Sequence, residues 1–161
     1  MKKNVSFIAL LGLLALAAFT PAKVVVPAMA VSVAEPVKLS WETLRDVTFK
    51  KKWYPEESVY MLYPTFGAGI QKLSGKPVEL TGYVLPVDYE SNTYVLSAFP
   101  FSACFFCGGA GPESVVSLKF KKNGQKFKTD ERRTFQGTLK LNADNIYELN
   151  YILVDAEMVQ Q

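Results

Sequence analysis

The segment Cys104-Phe105-Phe106-Cys107-Gly108-Gly109 sets two thiols three positions apart in a chain with no histidine. That pairing bounds the chemistry. Without imidazole there is no Ser-His or Cys-His dyad, no histidine metal site and no general base titrating near neutrality in its ordinary state. Any chemistry beyond folding is expected either at the two sulfurs or on a surface. No paired carboxylates at glycosidase spacing are present. Gly108-Gly109-Ala110-Gly111 lacks the Lys-Ser or Lys-Thr of a phosphate loop and has the wrong spacing for a dinucleotide fingerprint. An enzymatic role outside the sulfurs has no support.

Three uses of the pair compete. In the first, Cys104 and Cys107 form a disulfide that locks a loop, with Gly108, Gly109 and Gly111 allowing backbone angles that side chains forbid. Closing so short a loop removes only about 2 kcal/mol of unfolded-chain entropy, so the bond is not needed to hold the fold. In the second, the pair is redox-active or binds a soft metal. The thiolate is then the working form. No lysine or arginine lies between Lys76 and Lys119 to stabilise it, which leaves a nest of glycine amides as the substitute. Phe99, Phe101, Phe105 and Phe106 oppose ionisation. Zinc asks for four Cys or His ligands, so it would need Glu113 as a helper or sulfurs pooled from two chains; Cu(I) suits two sulfurs better on softness. In the third, Ser102, Phe105, Phe106, Gly108, Gly109, Gly111 and Glu113 form a binding loop around the pair. The plainer expectations are that the phenyl rings plug a barrel end, that Glu113 is a solvated carboxylate, and that Trp41, Trp53, Tyr60 and Tyr63 pack in the core instead of stacking on carbohydrate.

The compartment follows from residues 1–30. Lys2 and Lys3 precede the uncharged apolar run Val5 to Phe19, and Ala28-Met29-Ala30 offers a small-x-small cleavage site after Ala30, with Ala22 as a rival. The run is short against the ~20 residues that span a bilayer, and Pro21 interrupts it, so no spanning segment is expected after cleavage. The mature chain is therefore expected to be periplasmic or secreted. Removing Lys2, Lys3 and Lys23 from the 18 basic residues leaves 15 against 15 acidic ones. A neutral domain is a poor polyanion binder, and nucleic acid is excluded as an expected partner.

Residues 31–39 read as an extended leader, and 40–161 as one domain. Ser40 is placed to cap a short helix through Asp46 that presents Trp41, Leu44 and Val47 on one side. Strands are expected at Val59–Tyr63, ended by Pro64, and at Val78–Leu85, ended by Pro86. Others are expected at Thr93–Phe99 and Ser114–Phe120. Gly67-Ala68-Gly69 reads as loop, and Asp88–Asn92 as a turn. Asn123-Gly124 signals a tight hairpin that returns Gln125–Thr129 beside Ser114–Phe120. Arg132–Leu141 and Ile146–Val154 form a last pair. Short strands at this spacing predict a mainly β fold, a small barrel with a short N-terminal helix.

Leu80-Thr81-Gly82-Tyr83-Val84-Leu85-Pro86-Val87, Leu96-Ser97-Ala98-Phe99-Pro100 and Ser102-Ala103-Cys104 resemble the exported bacterial proteins of domain-of-unknown-function family 3299. The resemblance spans roughly Gly75 to Leu118. It implies an OB-like barrel, a periplasmic setting and a loose association with metal uptake or transport. Where the family pattern has a histidine two positions after its cysteine, this chain has Phe106 followed by Cys107, so only Cys104 carries over directly. The expected function is an exported envelope binding or accessory protein, partnered by an envelope protein or transport component. A periplasmic thiol-disulfide protein is the alternative. Intact-mass measurement of material from the envelope is expected to place the mature N-terminus at Val31; a start at Lys23 would move the cut to the earlier site.

Overall fold

The computed structural model describes residues 35–88, 92–122 and 124–160. The export signal, the first part of the leader, most of the Asp88–Asn92 turn and Asn123 lie outside these residues. The strands are β1 (Val37–Lys38), β2 (Val47–Tyr54), β3 (Val59–Phe66), β4 (Pro77–Asp88), β5 (Thr93–Ser97), β6 (Val115–Phe120), β7 (Glu131–Leu141) and β8 (Tyr151–Met158). Two one-turn helices, α1 (Trp41–Leu44) and α2 (Ala68–Gln71), complete the frame.

Five strands close on themselves in the order β4-β5-β6-β8-β7-β4, with β6 and β8 parallel and the other neighbours antiparallel. This is the small barrel that the strand spacing predicted, and the OB-like one that the resemblance implied. Closure rests on the length of β4. Its first part, Pro77–Val84, pairs with β7, and its second part, Tyr83–Asp88, pairs with β5. Alternation along β4 turns Val78, Leu80 and Val84 inward, where Leu96, Leu118, Phe135, Leu139, Tyr151 and Leu153 meet them. On β8 a bulge at Asp155, in the left-handed region at φ +54°, shifts the register against both neighbours. Leu153 and Ala156 consequently both face the core although they are three apart.

α1 is capped as expected, with Ser40 Oγ accepting from the Thr43 amide at 3.2 Å and Leu44 buried, but it ends at Leu44, short of Asp46, and Val47 already opens β2. Trp41 packs against the core and donates its indole N–H to the Thr81 carbonyl at 2.8 Å. Gly67 to Gly69 is not simple loop. The Asp46 carboxylate accepts from the Ile70 amide at 3.0 Å and so starts α2. β3 does not stop before Pro64 but runs through it to Phe66, paired with β2 alone. A strand with one partner has an open edge, where a residue lacking an N–H costs no ladder bond. Pro86 likewise lies within β4, next to a register shift that ends at Asp88.

Two expected strands fail for identifiable reasons. Gln125–Thr129 does not return beside β6. Phe127 is drawn inside against Tyr94, Phe120 and Phe135, and its amide donates to Tyr94 Oη at 3.4 Å. The last strand begins at Tyr151, not Ile146, because Asn142 claims the preceding backbone. Its Nδ2 donates to the carbonyls of Asn145 (2.7 Å), Glu148 (3.1 Å) and Leu149 (3.3 Å), and its Oδ1 accepts from the Asn145 amide. β5 also ends at Ser97, two residues earlier than expected, where the Ser97 hydroxyl accepts from the Phe99 amide.

Gly82 sits where β4, β5 and α1 converge. A Cβ there would lie 2.6 Å from the Ser97 carbonyl oxygen and 2.9 Å from both Leu96 and the Trp41 ring. The carbonyl belongs to the ladder and cannot retreat. Gly82→Ala is expected to lower stability by about 1–3 kcal/mol, read as a lower urea midpoint at unchanged slope.

Candidate functional site

The Cys-x-x-Cys segment leaves the barrel after β5 and returns at β6 as three single turns of 3₁₀ helix, Phe101–Ala103, Phe105–Cys107 and Pro112–Ser114. It is pinned at several points. The Phe101 amide donates to Asp130 Oδ1 at 2.8 Å, and Ala98 N–H donates to the Ser114 carbonyl at 3.0 Å. Cys104 is fully buried on the outside of the barrel, against Leu85 and Val95, which are direct partners across β4 and β5. Its thiol is the peg that fastens the loop. Gly108, at φ +74°, ends the second turn. Gly109 approaches so closely that a Cβ would fall 2.8 Å from the Ala103 carbonyl oxygen. The loop therefore does not open a helix, in keeping with its difference from a thioredoxin pair.

Cys107 is exposed, and its Sγ–H donates to the Phe101 carbonyl at 3.0 Å. Its pKa is raised, first by desolvation of the sulfur among the loop atoms, then by a hydrogen bond and charge from Cys104. The two sulfurs are thus neighbours that act on each other. The amides once considered for a thiolate nest are spent inside the loop: Gly108 N–H goes to the Phe105 carbonyl, and Cys107 N–H and Gly109 N–H both go to the Cys104 carbonyl. All three influences on the Cys107 sulfur push its pKa the same way, upward. The donor set is also poor for zinc. Among the described residues no group of three or more Cys, Asp or Glu side chains is placed to hold a metal ion.

The remaining loop residues divide between two clefts. Phe105, Phe106 and Pro112 wall a cleft of about 460 Å³, inside the ~300–1,000 Å³ span of small-molecule sites. Tyr54 of β2, Tyr60, Met61 and Leu62 of β3, and Val95, Ser117 and Lys119 of β5 and β6 line it with them. Tyr147 and its neighbours in the β7–β8 loop close the end. This is the β5–β6 face and flanking-loop region with which OB barrels bind ligands. Gly109, Gly111 and Glu113 instead border a second cleft of about 190 Å³ with Trp41, Arg45 and Phe99. The Glu113 carboxylate folds over Gly111 there. Ser102 is exposed and lines neither cleft.

The aromatic expectations change accordingly. The phenyl rings do not plug the barrel end: Phe101 and Phe106 are 51% and 49% exposed. Trp53 and Tyr60 are not core residues, at 47% and 70% exposed, and they contact each other with ring centroids 4.9 Å apart. The reason is that β2 and β3 form a separate two-stranded ribbon, too thin to bury both faces. Two tyrosines tie this ribbon to the β7–β8 loop. Tyr63 Oη donates to Asp144 at 3.0 Å, and Tyr147 Oη donates to Glu57. In each pair the accepting carboxylate raises the phenol pKa, first through the hydrogen bond and then through its charge. The sequence singles out Tyr60 but assigns it to the core, and it gives no sign of Leu62, Glu57 and Tyr147 as site residues, because ribbon and loop are some ninety positions apart. The open-edge signal of Pro64 was the one local clue.

No protein-family model and no curated protein matches the chain. Its structure is similar to the crystal structure of a DUF3299 family protein from Pseudomonas aeruginosa PAO1, the family that the β4 motif resembles. The likeness is partial, at 16% identity and a TM-score of 0.49 over 80% of this chain and 99% of that one. Among the described residues no helix is long and apolar enough to cross a membrane.

The geometry sets the reactivity of the pair. In the reduced, folded chain iodoacetamide is expected to modify Cys107 and spare Cys104. The rate should rise through a midpoint above the ordinary thiol value of about 8.5. A midpoint near or below neutrality would show an activated thiolate and contradict this account.

Proposed function

We propose that the chain is an exported binding or accessory protein of the cell envelope, periplasmic or secreted, that works through the cleft beside its cysteine loop. The observation that carries this reading is the position of Phe105 and Phe106. They line the same cleft as Tyr60, and the residues between and beside the cysteines thereby become part of a binding surface. The cysteines serve that surface. Cys104 fastens the loop to the barrel, and a bond to Cys107 in an oxidising compartment fixes the wall. The raised Cys107 pKa speaks for a structural bond over thiol-disulfide exchange, which needs a ready thiolate. Partners in this reading are an envelope protein or a transport component, and the two sulfurs alone would offer Cu(I) a softer site than Zn.

Two measurements on the mature chain test it. The Cys104–Cys107 couple is expected to have a reduction potential below about −300 mV; a value between about −120 and −270 mV belongs to catalytic pairs and would favour the thiol-disulfide alternative. The apolar dye anilinonaphthalene sulfonate is expected to bind the folded chain at one saturable site. Phe106→Ala, a surface change, should weaken binding at least fivefold at unchanged stability. Loss of the fold-specific signal, or indifference to Phe106, would remove the cleft from the proposal.

A further inference from the structure

The ribbon of β2 and β3 carries an unused binding capacity. The barrel strands close on one another and leave no edge, but β2 and β3 pair only with each other over eight residues. In an antiparallel pair alternate residues turn their N–H and C=O away from the partner strand. On β3 the Phe66 carbonyl is already taken, accepting from Gln71 Nε2 at 2.7 Å, and Pro64 is buried and has no N–H to offer. The stretch of that edge from Val59 to Leu62 has no partner beyond the β2 ladder among the described residues. A short free edge of this kind is a template for another strand.

The edge borders the cleft. Tyr60, Met61 and Leu62 are consecutive, so their side chains alternate between the two faces of the ribbon, yet all three line the same cavity. The cavity therefore follows the edge of β3 and reaches Tyr54 of β2 at the hairpin end. A chain laid there in extended form would complete the ladder with its backbone and send alternate side chains between Tyr60, Phe105 and Phe106.

Charge selects among such chains. Lys50, Lys51 and Lys52 stand in a row on β2 and form no ion pair among the described residues. Lys50 and Lys52 pair across with Tyr63 and Met61, on the face that continues into the cleft. Lys52 Nζ lies 5.4 Å from the Tyr54 ring centroid and 5.0 Å from that of Tyr63. Of the nearby acids, Glu148 is paired with both Lys119 and Lys140, Glu57 and Asp144 accept from Tyr147 and Tyr63, and Glu56 lies close enough to act on Tyr147.

We infer that the cleft binds an extended acidic peptide segment with apolar residues at alternate positions, added as a third strand along β3. This rests on the cleft being the working site, as proposed above. Such recognition takes affinity from main-chain hydrogen bonds and specificity from pockets for alternate side chains.

The probe is the octapeptide acetyl-Glu-Val-Asp-Phe-Glu-Val-Asp-Phe-amide, titrated by calorimetry into the mature, oxidised chain at low salt. Saturable one-to-one binding is expected. N-methylation of one alternate set of peptide amides should weaken it at least tenfold while methylation of the other set leaves it nearly unchanged, because only one set faces β3. The peptide with Lys for Glu and Asp should bind at least tenfold more weakly, and the exposed double change K50E/K52E should weaken the acidic peptide to a similar degree. Equal effects of the two methylations would overturn strand addition, and equal binding of both charge versions would overturn the acidic preference. Two further results also overturn the inference: sedimentation with phosphatidylglycerol vesicles in place of peptide binding, and self-association of the chain that Leu62→Lys abolishes. If the dye binds and the peptide does not, the inference fails and the cleft stands. If neither binds, both fail.

Discussion

Everything in this molecule hangs on β4 holding two ladders at once. A twelve-residue strand that pairs with β7 over its first part and β5 over its second closes the barrel without an edge. Closure fixes where Leu85 and Val95 meet on the outer surface, and that apolar spot receives Cys104. The same strand must pass beneath Trp41 and beside the Ser97 carbonyl with no room for a side chain at Gly82. The glycine that admits this approach and the cysteine that covers the outer patch belong to one packing solution. The loop between β5 and β6 therefore begins and ends on rigid backbone, and Phe105 and Phe106 are held at defined positions although half the loop is solvent-exposed.

The two cysteines divide their labour by burial. Complete burial suits a residue used as an apolar peg, which is the place of Cys104. Cys107 has the exposure a nucleophile needs, but its surroundings push its proton affinity upward, and the glycine amides that would have countered this are committed to the Cys104 and Phe105 carbonyls. An exposed thiol that is hard to ionise next to a buried neighbour is poorly suited to exchange. As a disulfide the pair would cost the loop little and would hold the wall of the cleft in one arrangement.

The barrel was legible because its strands obey period two and are broken by turn chemistry. The positions that misled have specific causes. Pro64 and Pro86 read as terminators, and both lie within strands where the lost N–H points away from a partner or falls at a register shift. Phe127 follows Gly124 at a turn, but a hydrophobic interior took the ring and left the backbone irregular. Asn142 holds five loop residues out of β8 through three carbonyls, an effect no pattern of apolar residues encodes. At the site, residues that are close in sequence were visible as a group and then proved to serve two clefts. Their actual partners, Tyr60 and Tyr147, come from elements far along the chain.

The separation of ribbon from barrel explains why an exposed aromatic surface is tolerated at all. A two-stranded ribbon standing alone in water is marginal, and Trp53, Tyr60 and three adjacent lysines contribute little to a core it does not have. Its attachment comes from α2, started by Asp46, at one end and from the Tyr63–Asp144 and Tyr147–Glu57 hydrogen bonds at the other. These tethers are polar and exposed, so they fix the ribbon over the cleft without filling it. The free edge of β3 carries no charged side chain of its own, and Lys50 and Lys52 stand one strand behind it, on the face shared with Met61 and Tyr63. An uncharged edge beside an aromatic cavity, with cations one strand away, has the character of a docking rail that those lysines bias toward acidic strands, and this argues that the exposed ribbon is a working surface rather than a packing defect.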